Sequence, residues 1–429
     1  MRRILLLLMI FSCSTLAAQP IMTSNRELPR SAIRPYATAA DASASPKEHR
    51  YGSVVEAWQQ EGNTFKATFT APFAWTNRQV ILRITSASAP YTLFINGREI
   101  ATNADSNTAA DFLITKWVKE GRNEVELHLQ EVSAMRAIEG WKGDTAPQIG
   151  AVELLAPPTM GVRDLLITTR RIEGQTTAEI GVVVKSYALN ARTVRIHYDL
   201  LDPTGEAVST GHSDLTLRMR GEDTLRWVVA VPDSLCWSSN HPQHYTLRLR
   251  TQREGHNMEF HEYPIGLRTV ALHEGRLLIN GRAEQLQIVE CGAKVTAEQL
   301  ATLKAAGKNL VRLPAAAASR AEAIYAACDT LGLYVIAPTA IDGSKAATSR
   351  RKGGSPSNDP AWRSTYVERA ANNYHTAKLH PSVVGFTLGE QAENGICLYE
   401  SYLHLKGIEE QRPILYFDSE GEWNHDVFR

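Results

Sequence analysis

The sequence predicts a multidomain β plus α/β chain: two consecutive antiparallel β-sandwiches, then a parallel β/α domain of about five strands. Three observations predict it. Apolar and polar residues alternate in run after run across residues 51–267, the period-two pattern of strands with one buried and one solvated face. Turn pairs such as Asn96-Gly97 punctuate these runs and favour the positive φ values of a tight hairpin. After residue 283 the rhythm becomes short apolar runs alternating with capped helical segments, the sign of strands covered on both faces. A length of 429 residues leaves room for about three domains.

The elements follow in order. Arg2 and Arg3 precede an apolar run over residues 4–11 and small residues ending Leu16-Ala17-Ala18-Gln19, the n-region, h-region and cleavage pattern of a signal peptide over residues 1–18. The protein is thus expected to be exported, to the periplasm, the cell surface or the medium. Ile10-Phe11-Ser12-Cys13 also resembles a lipoprotein box, so a lipid anchor at Cys13 is the alternative. No later apolar run reaches the roughly 20 residues that span a bilayer. Residues 19–50 are rich in Ala, Ser, Pro and charge without apolar period and read as a flexible leader.

Residues 51–156 form the first expected sandwich: Phe65, Ala67 and Phe69 alternate with polar neighbours, as do Val125, Leu127 and Leu129. Residues 157–267 form the second, whose strand spacing suggests an immunoglobulin-like sandwich without the usual cysteine pair. Residues 268–429 hold the parallel domain. Strands are expected at 284–290, 310–313, 333–337, 383–388 and 414–417. Thr296 with Gln299 reads as a capping box closed by Gly307, Ser319 with Glu322 as the cap of a second helix, and Pro360 as the start of a third. This order fits either a doubly wound sheet or the beginning of a (β/α)8 barrel.

Composition narrows the function. With 46 basic and 46 acidic residues the chain offers no electrostatic footprint for nucleic acid. Cys236, Cys291, Cys328 and Cys397 lie 55, 37 and 69 residues apart, which rules out a CxxC pair or zinc-ligand spacing and leaves no metal or cofactor expected. Cys236 and Cys328, among apolar neighbours, read as buried small hydrophobes. No P-loop, HExxH or GxSxG pattern occurs.

Several segments, in order, resemble glycoside hydrolase family 2, the group holding β-galactosidases, β-glucuronidases and β-mannosidases. They are NTFKATFTAPFAW, YTLFINGREI and DFLITKWVKEGRNEVELHL in the first sandwich, APQIGAVELLAPP at the first junction, and LCWSSNHPQHYTLRLRT with PIGLRTVAL at the second. GRLLINGR, YAACDTLGLYVIAP, NDPAW and KLHPSVVGFTLGEQAENG continue the match in the parallel domain. The resemblance implies a jelly-roll sugar-binding domain, an immunoglobulin-like domain and a TIM-type barrel. Residues 283–429 number 147, against roughly 250 for a complete barrel, so an incomplete barrel of about five strands is expected. Its two free edges, with Val384 and Phe386 facing inward, would leave the segment the least stable part of the molecule, prone to self-association, to binding a protein partner, or to covering by its own tail.

The family's chemistry needs two carboxylates about 5 Å apart, a general acid and a nucleophile. The resemblance places the acid/base glutamate at the end of the fourth strand in the pattern S-L-G-N-E, with the preceding Asn on the sugar 2-hydroxyl. Here that segment reads Thr387-Leu388-Gly389-Glu390-Gln391. The acid position falls on Gln391, and Glu390 can replace it only by a one-residue shift opposed by strand alternation. Val311-Arg312-Leu313-Pro314-Ala315 keeps the family's arginine, Glu290-Cys291-Gly292 replaces its Arg-His-Glu cluster, and Ala337-Pro338 its Asp-Glu pair. The family's nucleophile ends strand seven, beyond the fifth. Glu290, Arg312, Glu390 and Gln391 are therefore the candidate substrate-binding residues, with no confident catalytic residue. The implied function is a non-hydrolytic binder of β-linked glycan or a scaffolding accessory. The alternatives are an active β-glycosidase if the chain is a fragment or is completed by a partner, and a protein-binding structural module. Trp75, Trp117 and His380 read as structural, and Glu393, Glu420, Glu422, His425 and Asp426 as a solvated tail.

Overall fold

Alternation along Thr64–Ala71 buries Phe65, Ala67, Phe69 and Ala71 and turns the residues between them to solvent, which is how each strand of the first sandwich joins its core. The computed structural model describes residues 25–131, 133–143, 146–349, 351–419 and 421–427; the expected signal peptide at residues 1–18, with Cys13, lies outside them. A five-stranded antiparallel sheet runs in the order Gln59–Glu61, Thr64–Ala71, Gly121–Leu129, Tyr91–Ile95, Arg98–Asn103. It packs on a four-stranded one built from Gly52–Val54, Val152–Leu155, Ile81–Ile84 and Ala110–Leu113. Asn96 and Gly97 both take positive φ, 50° and 75°, as the hairpin turn requires. Trp75 is buried and donates Nε1–H to the Arg50 carbonyl at 2.9 Å, and Trp117 packs against the same core.

The second sandwich divides seven antiparallel strands three and four. Met160–Ile172, Gln175–Ser186 and Glu222–Ala230 face Ala207–Leu217, Arg192–Leu201, Tyr245–Arg253 and His256–Ile265.

In the third region Ile288–Glu290, Leu310–Arg312, Tyr334–Ala337, Val383–Thr387 and Ile414–Leu415 form one sheet in chain order, every pair parallel. The helices Ala297–Ala305, Ala321–Leu331, Arg363–Ala377 and Ile396–Ile408 cover one face. Both halves of the Thr296/Gln299 capping box are made. Ser319, by contrast, does not cap: residues Ala315–Arg320 form a 3-10 turn and the helix begins on Arg320 with no side-chain cap. The 3-10 turn carries the chain straight into the helix, so the first helical N–H groups need no serine.

Two expectations about exposure are corrected. Val384 does face the inner side of the sheet, but Phe386 faces the helices. The pairing with Tyr334–Ala337 shifts between Val335 and Ile336, and such a bulge moves the following residues to the opposite face. Phe386 stacks on Tyr374, 5.7 Å between centroids. The lower half of the inner face is not open either: the hairpin Val270–His273/Arg276–Ile279 and Trp237 close over Leu310, Tyr334, Ile336, Val384 and Leu415. At the outer edge, Ile414 donates to the Asp426 carboxylate (2.8 Å) and accepts from the Asp426 N–H (2.7 Å), so the chain's own tail satisfies that strand.

The described part of the expected flexible leader, residues 25–50, is an ordered strap. It extends the first sandwich by pairing Arg26 with Phe112, and Arg30 donates to Asp111 at 2.6 Å. Ser31 N–H reaches Asp164, Ile33 is buried in the second core, and Tyr36 pairs with Phe260. Arg26 also ion-pairs with Glu368 of the parallel domain. Arg26, Glu27, Arg30, Ser31 and Arg34 all find partners in the packed regions, which is why composition misread the segment.

Candidate functional site

Residues at the C-terminal ends of parallel strands converge because each strand delivers its last side chains to the same rim. Glu290 and Arg312 end neighbouring strands in register, and Arg312 Nη1 donates to Glu290 Oε1 at 3.0 Å. The Arg312 guanidinium also lies over the Phe417 ring, 4.0 Å from its centroid. Glu290 itself is largely exposed, so this pair is a weak, screened one.

Regular pairing of the fourth strand stops at Thr387. Gly389 then takes φ +147° and Gln391 φ +51°, so alternation no longer dictates where Glu390 and Gln391 point. The glycine is required: a Cβ there would meet Ile341 at 3.0 Å. Glu390 Oε1 accepts from the Ala315 N–H at 3.1 Å. Gln391 is exposed, and its N–H donates to the Asp418 carboxylate at 2.7 Å. The structure thus joins Glu290 to Arg312, sets Glu390 on the second strand's loop, and ties Gln391 to the fifth strand's loop.

What holds this rim comes from outside the parallel domain. Isolated parallel bridges run from Glu139 to Asp342 and from Asp342 to Glu390, so a loop of the first sandwich continues the sheet at its upper end. Gly140 N–H donates to the Asp342 carbonyl (3.0 Å), and Gly343 N–H to that of Glu390 (3.0 Å). Beneath this ladder lies a buried polar network. Arg369, fully buried, donates to Glu139 at 2.5 Å and to the Ala340 carbonyl. Asn107 donates to Glu139 (2.7 Å), and Asn372 and Thr108 donate to Asp105 (2.7 and 2.6 Å). Sequence reasoning named none of Glu139, Arg369, Asp342 or Asp418; Asp342-Gly343, a turn pair after an apolar strand, was the one available signal. Among the described residues no group of three or more His, Cys, Asp and Glu is placed to hold a metal ion.

Burial, with Asp342 and Asp418 nearby, pushes the Glu390 carboxyl above its ordinary range, against the pull of the Ala315 N–H and Arg312. A carboxyl raised in the folded state is neutral in both states at low pH, and its contribution to stability is lost as pH rises through the folded pKa. Glu390→Gln is therefore expected to raise the thermal midpoint at neutral pH and leave it nearly unchanged below the ordinary carboxylate range. The gain is at most about 1 kcal/mol, since the group is only half-buried. Equal shifts at both pH values in thermal melts would exclude the charge as the cause.

His380, before the fourth strand, is held by Asp329 at 2.6 Å, at the end of the sheet away from this rim. Cys236 and Cys328 are buried, and burial pushes both thiols up. In the tail Tyr399 and Tyr402 donate to Glu422 (2.9 Å) and Asp426 (3.1 Å); Glu420 lies outside the described residues.

Comparison with known proteins places the whole arrangement. The family model described as "Glycosyl hydrolases family 2" matches residues 161–268, and "Glycosyl hydrolases family 2, TIM barrel domain" matches residues 267–428. A β-galactosidase of Priestia megaterium is 22% identical over 380 residues, covering 83% of this chain and 36% of its own length. The "Beta-galactosidase large subunit" of Latilactobacillus sakei is 24% identical over 400 residues, covering 89% of this chain and 62% of its own. Among solved structures, a glycosyl hydrolase family 2 member from Bacteroides cellulosilyticus superposes with a TM-score of 0.65 at 17% identity, covering 83% of this chain and 50% of that one. A Bacteroides uniformis β-glucuronidase gives 0.63 at 18%, covering 82% and 46%. This chain therefore spans about a third to three fifths of the curated relatives it matches. With both of its later regions matched and its fold shared, the chain belongs to glycosyl hydrolase family 2.

Proposed function

We propose that this family 2 glycosidase-like chain is exported by its signal segment and binds β-linked glycan at the rim without hydrolysing it on its own. One observation carries the reading: Gln391 occupies the strand-end position where the resemblance puts the acid, and an amide cannot protonate a leaving group. Glu390, the adjacent carboxyl, is engaged sideways by the Ala315 N–H. The resemblance also puts the nucleophile on a seventh strand, and the described sheet has five. In this reading residues 51–156 and 157–267 are the two sandwiches and residues 268–429 a partial barrel.

Purified chain is expected to turn over aryl β-galactosides, β-glucuronides and β-mannosides no faster than buffer. Gln391→Glu is expected to stay inactive, because general acid catalysis supplies only about 10²- to 10⁴-fold and needs a nucleophile to act with. Robust wild-type hydrolysis abolished by Glu390→Ala would overturn this and make Glu390 the acid. Binding on a glycan array supports the glycan reading; an array with no binder would favour a protein-binding module.

A second reading, an active β-glycosidase completed by further polypeptide, is favoured by the partial coverage of its relatives and by the name of one of them, a large subunit. Turnover that appears on co-expression with the coding sequence following it would favour that reading.

A further inference from the structure

At the opposite end of the parallel sheet, where Val383–Thr387 begins, a cleft of about 230 Å³ separates the second sandwich from the parallel domain. Its walls are the strand segment at residues 166–170 on one side and the loop at residues 407–412 on the other. Five basic side chains line it: Arg170, Arg226, Arg268, Lys378 and Arg412. Four of them have a carboxylate. Arg170 pairs with Glu410 (2.6 Å), Arg226 with Glu179 (3.2 Å), Arg412 with Glu409 (2.5 Å) and Lys378 with Asp164 (2.5 Å).

Arg268 has none. Its Nη2 donates to the carbonyls of Val383 (2.5 Å) and His380 (3.4 Å), while its buried Nε lacks a hydrogen-bond partner. Among the described residues it makes no ion pair. Burial and the like charge of Arg412 push its pKa down, outweighing the opposing pull of Asp329 and Glu409, the sense expected of a buried cation without a direct ion pair. Arg412 is fixed in place, its guanidinium over the Phe386 ring at 4.7 Å from the centroid. The guanidiniums of Arg268 and Arg412 therefore share one cleft in which Glu409 pairs with Arg412, and no carboxylate among the described residues pairs directly with Arg268. Planar guanidinium groups match carboxylate and phosphate oxygens, and the volume far exceeds that of one water.

We propose that this cleft is an anion-binding site, taking a small oxyanion, a phosphate or a sugar carboxylate, between the guanidiniums of Arg268 and Arg412. The bound oxyanion supplies the direct ion pair that Arg268 does not make with Asp329 or Glu409. It also ties the second sandwich to the parallel domain, because the cleft walls belong to one each. The site lies at the far end of the sheet from Glu390 and is independent of glycan binding there.

Isothermal titration of the full chain with inorganic phosphate, glucuronate and glucose, at ionic strength held constant with chloride, tests it. Saturable binding of phosphate or glucuronate, and none of glucose, is expected; which of the two binds tells the phosphate source from the sugar source. Arg268→Met is expected to weaken that binding at least tenfold. Because Arg268 also staples two carbonyls, this variant can fail to fold, and Glu409→Gln then decides. Removing the carboxylate beside Arg412 while keeping an acceptor is expected to tighten binding several-fold, a gain that misfolding cannot mimic. No saturable binding of either anion, or affinity unchanged by Glu409→Gln, overturns the proposal. Loss of glycan binding at the rim with anion binding intact would count against the proposed function alone.

Discussion

Arg369→Ala is expected to destabilise the protein by about 3–5 kcal/mol, read as a lower urea midpoint, because it removes the guanidinium that acts on two buried carboxylates at once and leaves Glu139 only the Lys142 ion pair, at 3.1 Å. Arg369 donates directly to Glu139, and its charge also acts on Asp105. Burial pushes the Asp105 carboxyl up, but Arg369, Thr108 and Asn372 outweigh it and hold the group below its ordinary range. A carboxyl depressed in the folded state adds stability above the unfolded pKa and loses it as pH falls through the folded one. The deficit of Arg369→Ala is therefore greatest near neutrality and shrinks below about pH 4, where the unfolded aspartate also takes up its proton. Adding Glu139→Gln is expected to recover part of the loss, since one of the stranded charges is gone. A deficit independent of pH, with no recovery in the double variant, would mean that Arg369 acts by packing alone. Because Glu139 belongs to the ladder that reaches Glu390, the same variant is expected to loosen the rim.

Trp237→Ala is expected to remove about 3–5 kcal/mol as well, by opening a cavity rather than stranding a charge. Trp237 is fully buried beneath the inner face, edge-on to Tyr334 at 5.8 Å between centroids, and packed with Val270, Leu277, Ile279 and Val384. Its Nε1–H donates to the Asp329 carbonyl at 3.0 Å. Trp237→Phe keeps most of the ring but orphans that carbonyl, and about 1–2 kcal/mol is expected. Chemical denaturation followed by far-ultraviolet circular dichroism separates the two. Equal losses in Phe and Ala variants would assign the effect to the hydrogen bond instead of the plug.

The elements that were legible in the sequence are those whose cause is local. Thr296 and Gln299 cap a helix within three residues of each other, and Phe65, Ala67 and Phe69 announce their buried face by spacing alone. That the strands pair in parallel was legible from the alternation of strands and helices, whereas the pattern fitted a doubly wound sheet as well as the chain order found. What was illegible depended on partners far along the chain. Phe386 changes face because its own strand carries an extra residue, Val384, opposite the Val335–Ile336 step of the neighbouring strand. Ser319 failed as a cap because a 3-10 turn of alanines already feeds the helix. At the rim, the substitution at Gln391 could be read as a change of chemical type, but its left-handed backbone and its bond to Asp418 could not. The Arg369 network was invisible for a further reason: charged residues inside a sequence read as surface, and only the packing of the first sandwich against the third region puts them inside.

The strap at residues 25–50 also sets an order of events. Arg26 and Glu368 lie 342 residues apart, and Ser31 and Asp164 lie 133 apart. A segment near the start of the chain thus waits for the last partners to arrive. Contacts of such separation are the slowest to form, because long loops must close before they contribute. The sandwiches can assemble as units during emergence, whereas the strap completes only against a finished parallel sheet. It therefore reports on completion: protection of residues 25–50 from proteolysis would appear in step with the last region to fold, not with the sandwiches the strap lies beside.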